Sequence, residues 1–316
     1  MAYDVSIIEA VDEQFRRRRE ESMAALERRR AEAYKKDPRI RAIDAELSRK
    51  YRELIASTFG GKAPSKKETR AIAVDHLASR AELLVQSGFP VDYLELKYHC
   101  SKCSDEGFIQ GKMCSCYRKA LNKEAAGHTK LAKLMEDQTF KTFKMDLYPE
   151  EGGARRNMER IFNRVKEYAE NFSERSGNLL FTGGTGVGKT FLSSAVARHV
   201  IDKGFSVVYD SIANIIDEFE AVKFNKKPIN LDKYDTCDLL IIDDLGTELV
   251  TQYSESVVYT LLNNRINMRK PMIVSTNIDG ERMGEIYSQS IVSRLSGEFM
   301  ILPFKGTDLR QRRKNK

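Results

Sequence analysis

The sequence predicts an α/β protein: a doubly wound domain on a five-stranded parallel sheet, preceded by a helical region and a small four-cysteine knuckle. Three observations predict it. After Arg155, short apolar runs alternate with helical patterns, as in a parallel sheet covered on both faces. Over the first 90 or so residues the chain reads as charged, amphipathic helix. Between the two lie Cys100, Cys103, Cys114 and Cys116. The 316 residues have room for one full α/β domain and something smaller, and 41% apolar content is ordinary for a chain with a packed core.

The first helix is expected from Val5 to about Lys36, with a sparse apolar stripe through Val11, Phe15, Met23, Leu26 and Tyr34. Asp37-Pro38 reads as a cap and first-turn proline. Ile40, Ile43, Leu47, Tyr51 and Leu54 then follow at steps of three and four. A third helix opens at Ser65, with Glu68 completing a capping box, and closes near Gly88 before Pro90. These stripes need each other, or a partner, to be covered. Gly60 to Pro64 and Glu150 to Gly153 read as short loops. The expected strands are Asn178 to Thr182, Phe205 to Tyr209, Asp238 to Ile242, Pro271 to Thr276 and Phe299 to Leu302. The expected division is a helical region over 1–97, a knuckle over 98–130, a linker over 131–154 and the α/β domain over 155–316.

Composition narrows the class. There is no apolar run of about 18 residues, and the start of the chain is acidic and mixed, so neither a membrane span nor a signal peptide is expected. The expected location is cytoplasmic, and closely spaced cysteines suit a reducing compartment where thiolates bind metal. Cys237 begins a buried strand and reads as packing. The balance of 53 basic and 46 acidic residues is too mild to identify a nucleic-acid binder from charge alone. Basic clusters at Arg16 to Arg19, Arg28 to Arg30 and Arg310 to Lys316 read equally as solvated faces or as phosphate contacts.

Gly183-Gly184-Thr185-Gly186-Val187-Gly188-Lys189-Thr190 fits the P-loop pattern without a mismatch and lies between an apolar strand and a helix expected over Phe191 to Asp202. Glycines let backbone N–H groups close around phosphates. Lys189 reaches the β- and γ-phosphates of ATP, and the Thr190 hydroxyl ligates Mg²⁺. Leu239 to Ile242 runs into Asp243-Asp244, and a buried strand does not spend two carboxylates on packing. Asp243 would hold Mg²⁺ through water while Asp244 polarises the attacking water, unless the pair merely caps a turn. Asn277 ends the fourth strand, where it orients the lytic water or forms an Asx-turn. By spacing alone, Arg294 reads as an arginine finger for a neighbouring subunit or as a surface arginine, and Arg310 as a contact to its own subunit's nucleotide or as the same bland alternative.

Cys100-x-x-Cys103 and Cys114-x-Cys116 are two close pairs joined by a short loop carrying Gly107 and Gly111. Four thiolates so spaced make a tetrahedral site, with zinc the default metal. The single spacer in the second pair leaves His99 or His128 as replacement ligands, and an iron–sulfur cluster as an alternative. With no open position the metal would be structural, stapling a domain with little core.

Taken together, the knuckle from His99 to Phe108 with Cys114-Ser115-Cys116-Tyr117, the P-loop, Leu239 to Gly246, Ser275-Thr276-Asn277, Val292 to Leu295 and Gly306 to Arg310 resemble bacterial helicase loaders of the DnaC and DnaI type. These are AAA+ ATPases related to the IstB-like ATPases of insertion sequences. The resemblance covers about Tyr98 to Arg310. It implies an AAA+ core with a reduced or absent helical lid, Arg294 as the arginine finger and Arg310 as a second sensor. It also implies an N-terminal domain that grips the replicative DNA helicase, an ATPase domain that contacts single-stranded DNA, and an ATP-dependent homo-oligomer. Asp244 stands where many AAA+ enzymes carry Glu, which implies slow hydrolysis, suited to a switch. Two other readings stay open: a transposition or phage-type ATPase adaptor, and a nucleic-acid adaptor that binds ATP without turning it over. The knuckle favours the loader.

Overall fold

The computed structural model describes residues 3–59, 66–127, 135–224 and 229–309. The chain divides into two compact units, one of Asp12–Cys114 and one of Met1–Val11 with Ser115–Lys316.

The unit Asp12–Cys114 is built on helices α1 (Val5–Lys36), α2 (Pro38–Phe59) and α3 (Lys66–Gln86). Its small core joins Ala33, Ile40, Leu84 and Leu94, flanked by Tyr34, Leu83, Phe89 and Tyr93. The α1 stripe differs from expectation at Met23, which is 59% exposed, while Ser22 is buried. Seven residues make almost two full turns, so Ser22 rather than Met23 shares the face of Phe15. Asp37 caps α2 as expected, its carboxylate accepting the Arg39 N–H at 2.9 Å. Ile40 is buried, Ile43 and Leu47 are half-buried and Tyr51 is exposed; the Leu54 side chain and the Ser65 cap lie outside the described residues. At the end of α3, Gly88 takes φ 79° and the Phe89 N–H reaches back to Leu84 O at 2.8 Å. Strands β1 (Phe108–Ile109) and β2 (Lys112–Met113) form an antiparallel hairpin. Gln110 and Gly111 turn it, both at positive φ, the two-residue turn that matches strand twist.

In the larger unit, α4 (Ser115–Gly127) and two 3₁₀ turns, Met145–Leu147 and Glu151–Gly153, precede the α/β domain. That domain runs α5 (Ala154–Glu170), β3 (Asn178–Thr182), α6 (Lys189–Lys203), β4 (Val207–Ser211), α7 (Ile212–Lys223), α8 (Asp232–Thr236) and β5 (Leu239–Leu245). It continues with α9 (Gln252–Asn267), β6 (Met272–Thr276), α10 (Gly280–Ile286), α11 (Gln289–Glu298) and β7 (Phe299–Pro303). The five strands lie in the order β4-β5-β6-β3-β7, all parallel, with Leu179 opposite Ile273 on one side and Met300 on the other.

Leu179 and Phe181 join a core with Met158, Val165 and Val196, while Leu180 joins a second core with Ile215, Leu261 and Ile291. Alternate residues of one strand thus serve opposite faces, which is why these strands read as unbroken apolar runs. The second strand begins two residues later than expected. Phe205 donates its N–H to Val200 O to close α6, and the Asp238 carboxylate takes the Ser206 N–H at 2.8 Å, so the ladder starts at Val207. Cys237 is buried, with its Sγ 3.2 Å from the guanidinium of the fully buried Arg265. That guanidinium also donates to the carbonyls of Tyr234 and Pro271, joining α9 to the start of the sheet.

Candidate nucleotide site and cysteine cluster

The carboxyl ends of the neighbouring strands β3, β6 and β5 carry Gly183, Asn277 and the pair Asp243-Asp244, so sheet order alone collects them along one edge. The loop from Gly183 to Thr190 leaves β3 and enters α6 at Lys189, with Gly188 in the left-handed region at φ 102°. A Cβ at Gly183 (φ 136°) would stand 2.3 Å from Phe304 O, and one at Gly188 would stand 2.5 Å from the Tyr148 hydroxyl, so neither position accepts a side chain. Lys189 is only 4% exposed. Its Nζ donates to Gly183 O at 2.6 Å, Gly184 O at 2.7 Å and Asn277 Oδ1 at 2.6 Å.

Asp243 is buried and accepts from Tyr209 OH at 2.8 Å, from Thr190 Oγ1 at 3.1 Å and from the Ser275 hydroxyl. Burial first, and then the Asp243 charge, push the Tyr209 hydroxyl well above its ordinary pKa, so it remains a donor. Magnesium takes oxygen ligands, commonly one or two carboxylates with phosphate and water, and the Thr190 hydroxyl beside the Asp243 carboxylate fits that demand. Asp244 takes φ 58° at a bulge between Ile242 and Leu245. That conformation costs a non-glycine residue roughly 1–2 kcal/mol and is typical of functional sites. Its N–H donates to Ser275 Oγ at 3.1 Å, and Asn277 Nδ2 donates to its Oδ1 at 3.4 Å. Asn277 therefore bridges Lys189 and Asp244.

These groups open onto a cavity of about 340 Å³, lined by Thr185, Gly186, Gly188, Lys189, Thr190, Asp244 and Asn277 on one side. Phe143, Leu147, Tyr148, Phe191 and Leu309 supply apolar wall, with Gln138 and Lys144 beside them. Tyr148 is buried and donates its hydroxyl to Val187 O at 2.8 Å, bracing the P-loop. Sequence reasoning did not foresee Gln138, Phe143, Tyr148 or Tyr209, and it singled out Ser275 within its motif without the contact to Asp243. One signal was available: Phe140, Phe143 and Tyr148 are too aromatic a set for a solvated linker.

Arg294, on α11, is not among the residues lining the cavity. Its guanidinium lies 4.4 Å from the centre of the Tyr259 ring and donates to Tyr259 OH at 2.9 Å, Asn263 Oδ1 at 2.8 Å and Ser290 O at 3.1 Å. Arg310 lies outside the described residues.

The sulfurs of Cys100, Cys103, Cys114 and Cys116 all lie within 4.8 Å of one another, Cys100 and Cys114 at 4.0 Å. A tetrahedral zinc with Zn–S near 2.3 Å sets sulfurs about 3.8 Å apart, so the four thiolates fit zinc with little movement. The Asp105 carboxylate, fully buried, accepts the N–H groups of His99 at 2.8 Å and Cys100 at 2.9 Å and fixes the turn that presents the first pair. His99 is not part of the four-sulfur group, and His128 lies outside the described residues. Among the described residues no helix is long and apolar enough to cross a membrane.

Residues 118–316 match the family described as IstB-like ATP binding protein. The chain is 23% identical over 190 residues to the replicative helicase loader DnaC of Buchnera aphidicola subsp. Schizaphis graminum, covering 58% of this chain and 74% of that protein. It is 23% identical over 137 residues to the replicative helicase loader DnaC of Escherichia coli strain K12, covering 42% of this chain and 56% of that protein. The chain thus spans between about half and three-quarters of the length of these two relatives. Among solved structures, the DnaC helicase loader shares 20% identity at a TM-score of 0.49, over 55% of this chain and 99% of that one. DnaI shares 16% identity at a TM-score of 0.46, over 54% of this chain and 93% of that one. The resemblance to DnaC-type loaders expected from the motifs is therefore found, and the fold is the expected AAA+ P-loop domain behind a helical region and a four-cysteine cluster. With all of its α/β domain inside the matched span, the chain belongs to the IstB-like ATP binding protein family.

Proposed function

We propose that this protein is an ATP-dependent loader of the replicative DNA helicase that works in the cytoplasm as an ATP-assembled homo-oligomer. The observation that carries the ATPase part is the convergence of Lys189, Thr190, Asp243, Asp244 and Asn277 on one cavity or on each other. The P-loop from Gly183 to Thr190 holds the phosphates. Thr190 and Asp243 would hold magnesium, which when bound would supply positive charge against the phosphates. Asp244 polarises the attacking water and Asn277 orients it, while the short arm of Asp244 keeps turnover slow. Arg294 serves the next subunit's nucleotide, and Arg310 its own.

Similarity to replicative helicase loaders supports the helicase as partner of the helical region 1–97, next to a zinc knuckle over 98–130. For single-stranded DNA, an exposed cluster supports the ATPase domain as the contact. Phe224 is 61% exposed, and Lys223 Nζ lies 5.7 Å from its ring and 4.1 Å from that of Tyr253. Aromatic faces for bases beside a cation for phosphate are what strand-binding proteins use. The test is ATP turnover by the full chain with and without single-stranded DNA, together with capture of the replicative helicase. DNA-stimulated turnover and helicase capture are expected. Turnover without helicase capture would point to a transposition or phage-type adaptor, and ATP binding without turnover to a non-catalytic adaptor.

The zinc reading has its own test. Thiolate-bound zinc contributes on the order of 10 kcal/mol of apparent binding energy that is also folding energy. Elemental analysis of protein purified without chelator is expected to give one zinc per chain. Cys100→Ser or Cys116→Ser should lose the metal and the helicase while ATP binding stays nearly unchanged. Metal-free protein from that purification would end the zinc assignment.

A further inference from the structure

We propose that Tyr287 is a positioning residue for hydrolysis, acting through Glu248 to hold Asp244 in its left-handed conformation. The inference rests on the reading of Asp244 as the group that polarises the attacking water, and adds what keeps it aimed. A residue with a side chain stays at positive φ only where its surroundings hold it there. Asp244 sits at φ 58° immediately before the loop that follows β5, so the hold must come from that loop and from β6 beside it.

The contacts form a chain that ends on Tyr287. Thr247 donates its N–H at 3.2 Å and its hydroxyl at 2.9 Å to Asp244 O. On the β6 side, Thr276 Oγ1 donates to Leu245 O at 2.7 Å. Between them Gly246 takes φ 93°, where a Cβ would stand 1.9 Å from Ile278 Cδ1, and its N–H donates to Glu248 Oε2 at 2.8 Å. Glu248 is then fixed from outside the loop, because its Oε1 accepts the Tyr287 hydroxyl.

Tyr287 is a firm anchor. It is 4% exposed and belongs to the core that holds Ile278 and Met283. Its N–H closes α10 on Met283 O at 3.0 Å, and the next N–H, of Ser288, donates to Glu255 Oε1 on α9. Burial first, and then the hydrogen bond to Glu248, push its hydroxyl above the ordinary tyrosine range, so it remains a donor. Neither Tyr287 nor Glu248 is among the residues lining the nucleotide cavity, so their effect falls on the aim of Asp244 and not on contact with ATP.

The experiment measures ATP affinity and single-turnover hydrolysis at saturating ATP on the full-length protein. Tyr287→Phe keeps the buried ring and removes only the hydroxyl, so it should bind ATP like wild type and hydrolyse it about ten- to a hundredfold more slowly, the scale of a misplaced catalytic group. Glu248→Ala should show the same split between rate and affinity. It alters a half-buried loop position, so it carries the test even if Tyr287→Phe fails to fold. Because Tyr287 acts through Glu248, the double variant should lose no more than Glu248→Ala alone. Wild-type turnover in either single variant, a loss confined to ATP affinity, or losses that multiply in the double variant would overturn the assignment to Tyr287 and leave the role of Asp244 standing. Asp244→Asn protein that hydrolyses ATP at the wild-type rate would overturn that role, and this inference with it.

Discussion

Replacing Lys189 with alanine abolishes ATP turnover and weakens ATP binding, whereas Asp244→Asn leaves binding nearly intact and stops hydrolysis. The first expectation follows from where the ammonium sits. Three oxygens within 2.7 Å hold it at the rim of the phosphate loop, and it is almost fully buried. The second follows from backbone and charge together. Asparagine accepts the left-handed conformation at this position as readily as aspartate does, so the bulge and its hydrogen bonds survive. Only the charge that draws the proton from water is lost, and general-base assistance contributes about 10²–10⁴ in rate. Nucleotide titration alongside single-turnover hydrolysis separates the two; equal loss of binding in both variants would show that the roles are misassigned.

Arg294→Ala should bind ATP like wild type and lose DNA-stimulated turnover, with a deficit of roughly 10³–10⁵ if it acts as arginine fingers do in other NTPases. Arg294 is not among the residues lining its own subunit's cavity, and its guanidinium is laid on the Tyr259 ring and tied to Asn263. On the proposed function the finger would serve a neighbouring subunit, held in place by Tyr259 and Asn263. The deciding measurement mixes Arg294→Ala with Lys189→Ala protein. One contributes an intact P-loop and the other an intact finger, so a mixed interface is competent and activity returns. DNA stimulation should fade as salt rises, because phosphate contacts weaken with ionic strength. Full turnover by Arg294→Ala alone would make Arg294 a surface arginine.

Much of this was legible in the sequence, for physical reasons that can be named. The P-loop is readable because its constraints are local: glycines where a Cβ has no room, then lysine and threonine entering a helix, all within eight positions. The paired acids are readable because a buried apolar strand ending in two carboxylates has no packing explanation. The four cysteines are readable because soft ligands in close pairs have few other uses, and folding brings their sulfurs together. Boundaries were legible where periodicity decided them, as at Val5–Lys36, and not where a tertiary hydrogen bond intervened, as when Asp238 claims Ser206 ahead of β4.

By itself, then, the sequence determined the fold class, the family resemblance and the residues with local signatures. The tertiary structure alone decided which distant residues meet them. Strand order sets Asn277 between Lys189 and Asp244 and lays Tyr209 and Ser275 on Asp243, pairings that span tens of residues and leave no periodic trace. Only the packing of Phe140 and Phe143 shows that the segment before the α/β domain is cavity wall. Local chemistry is written in spacing, but a contact between residues far apart in the chain is settled by the free energy of the packed whole, which no short window of sequence contains.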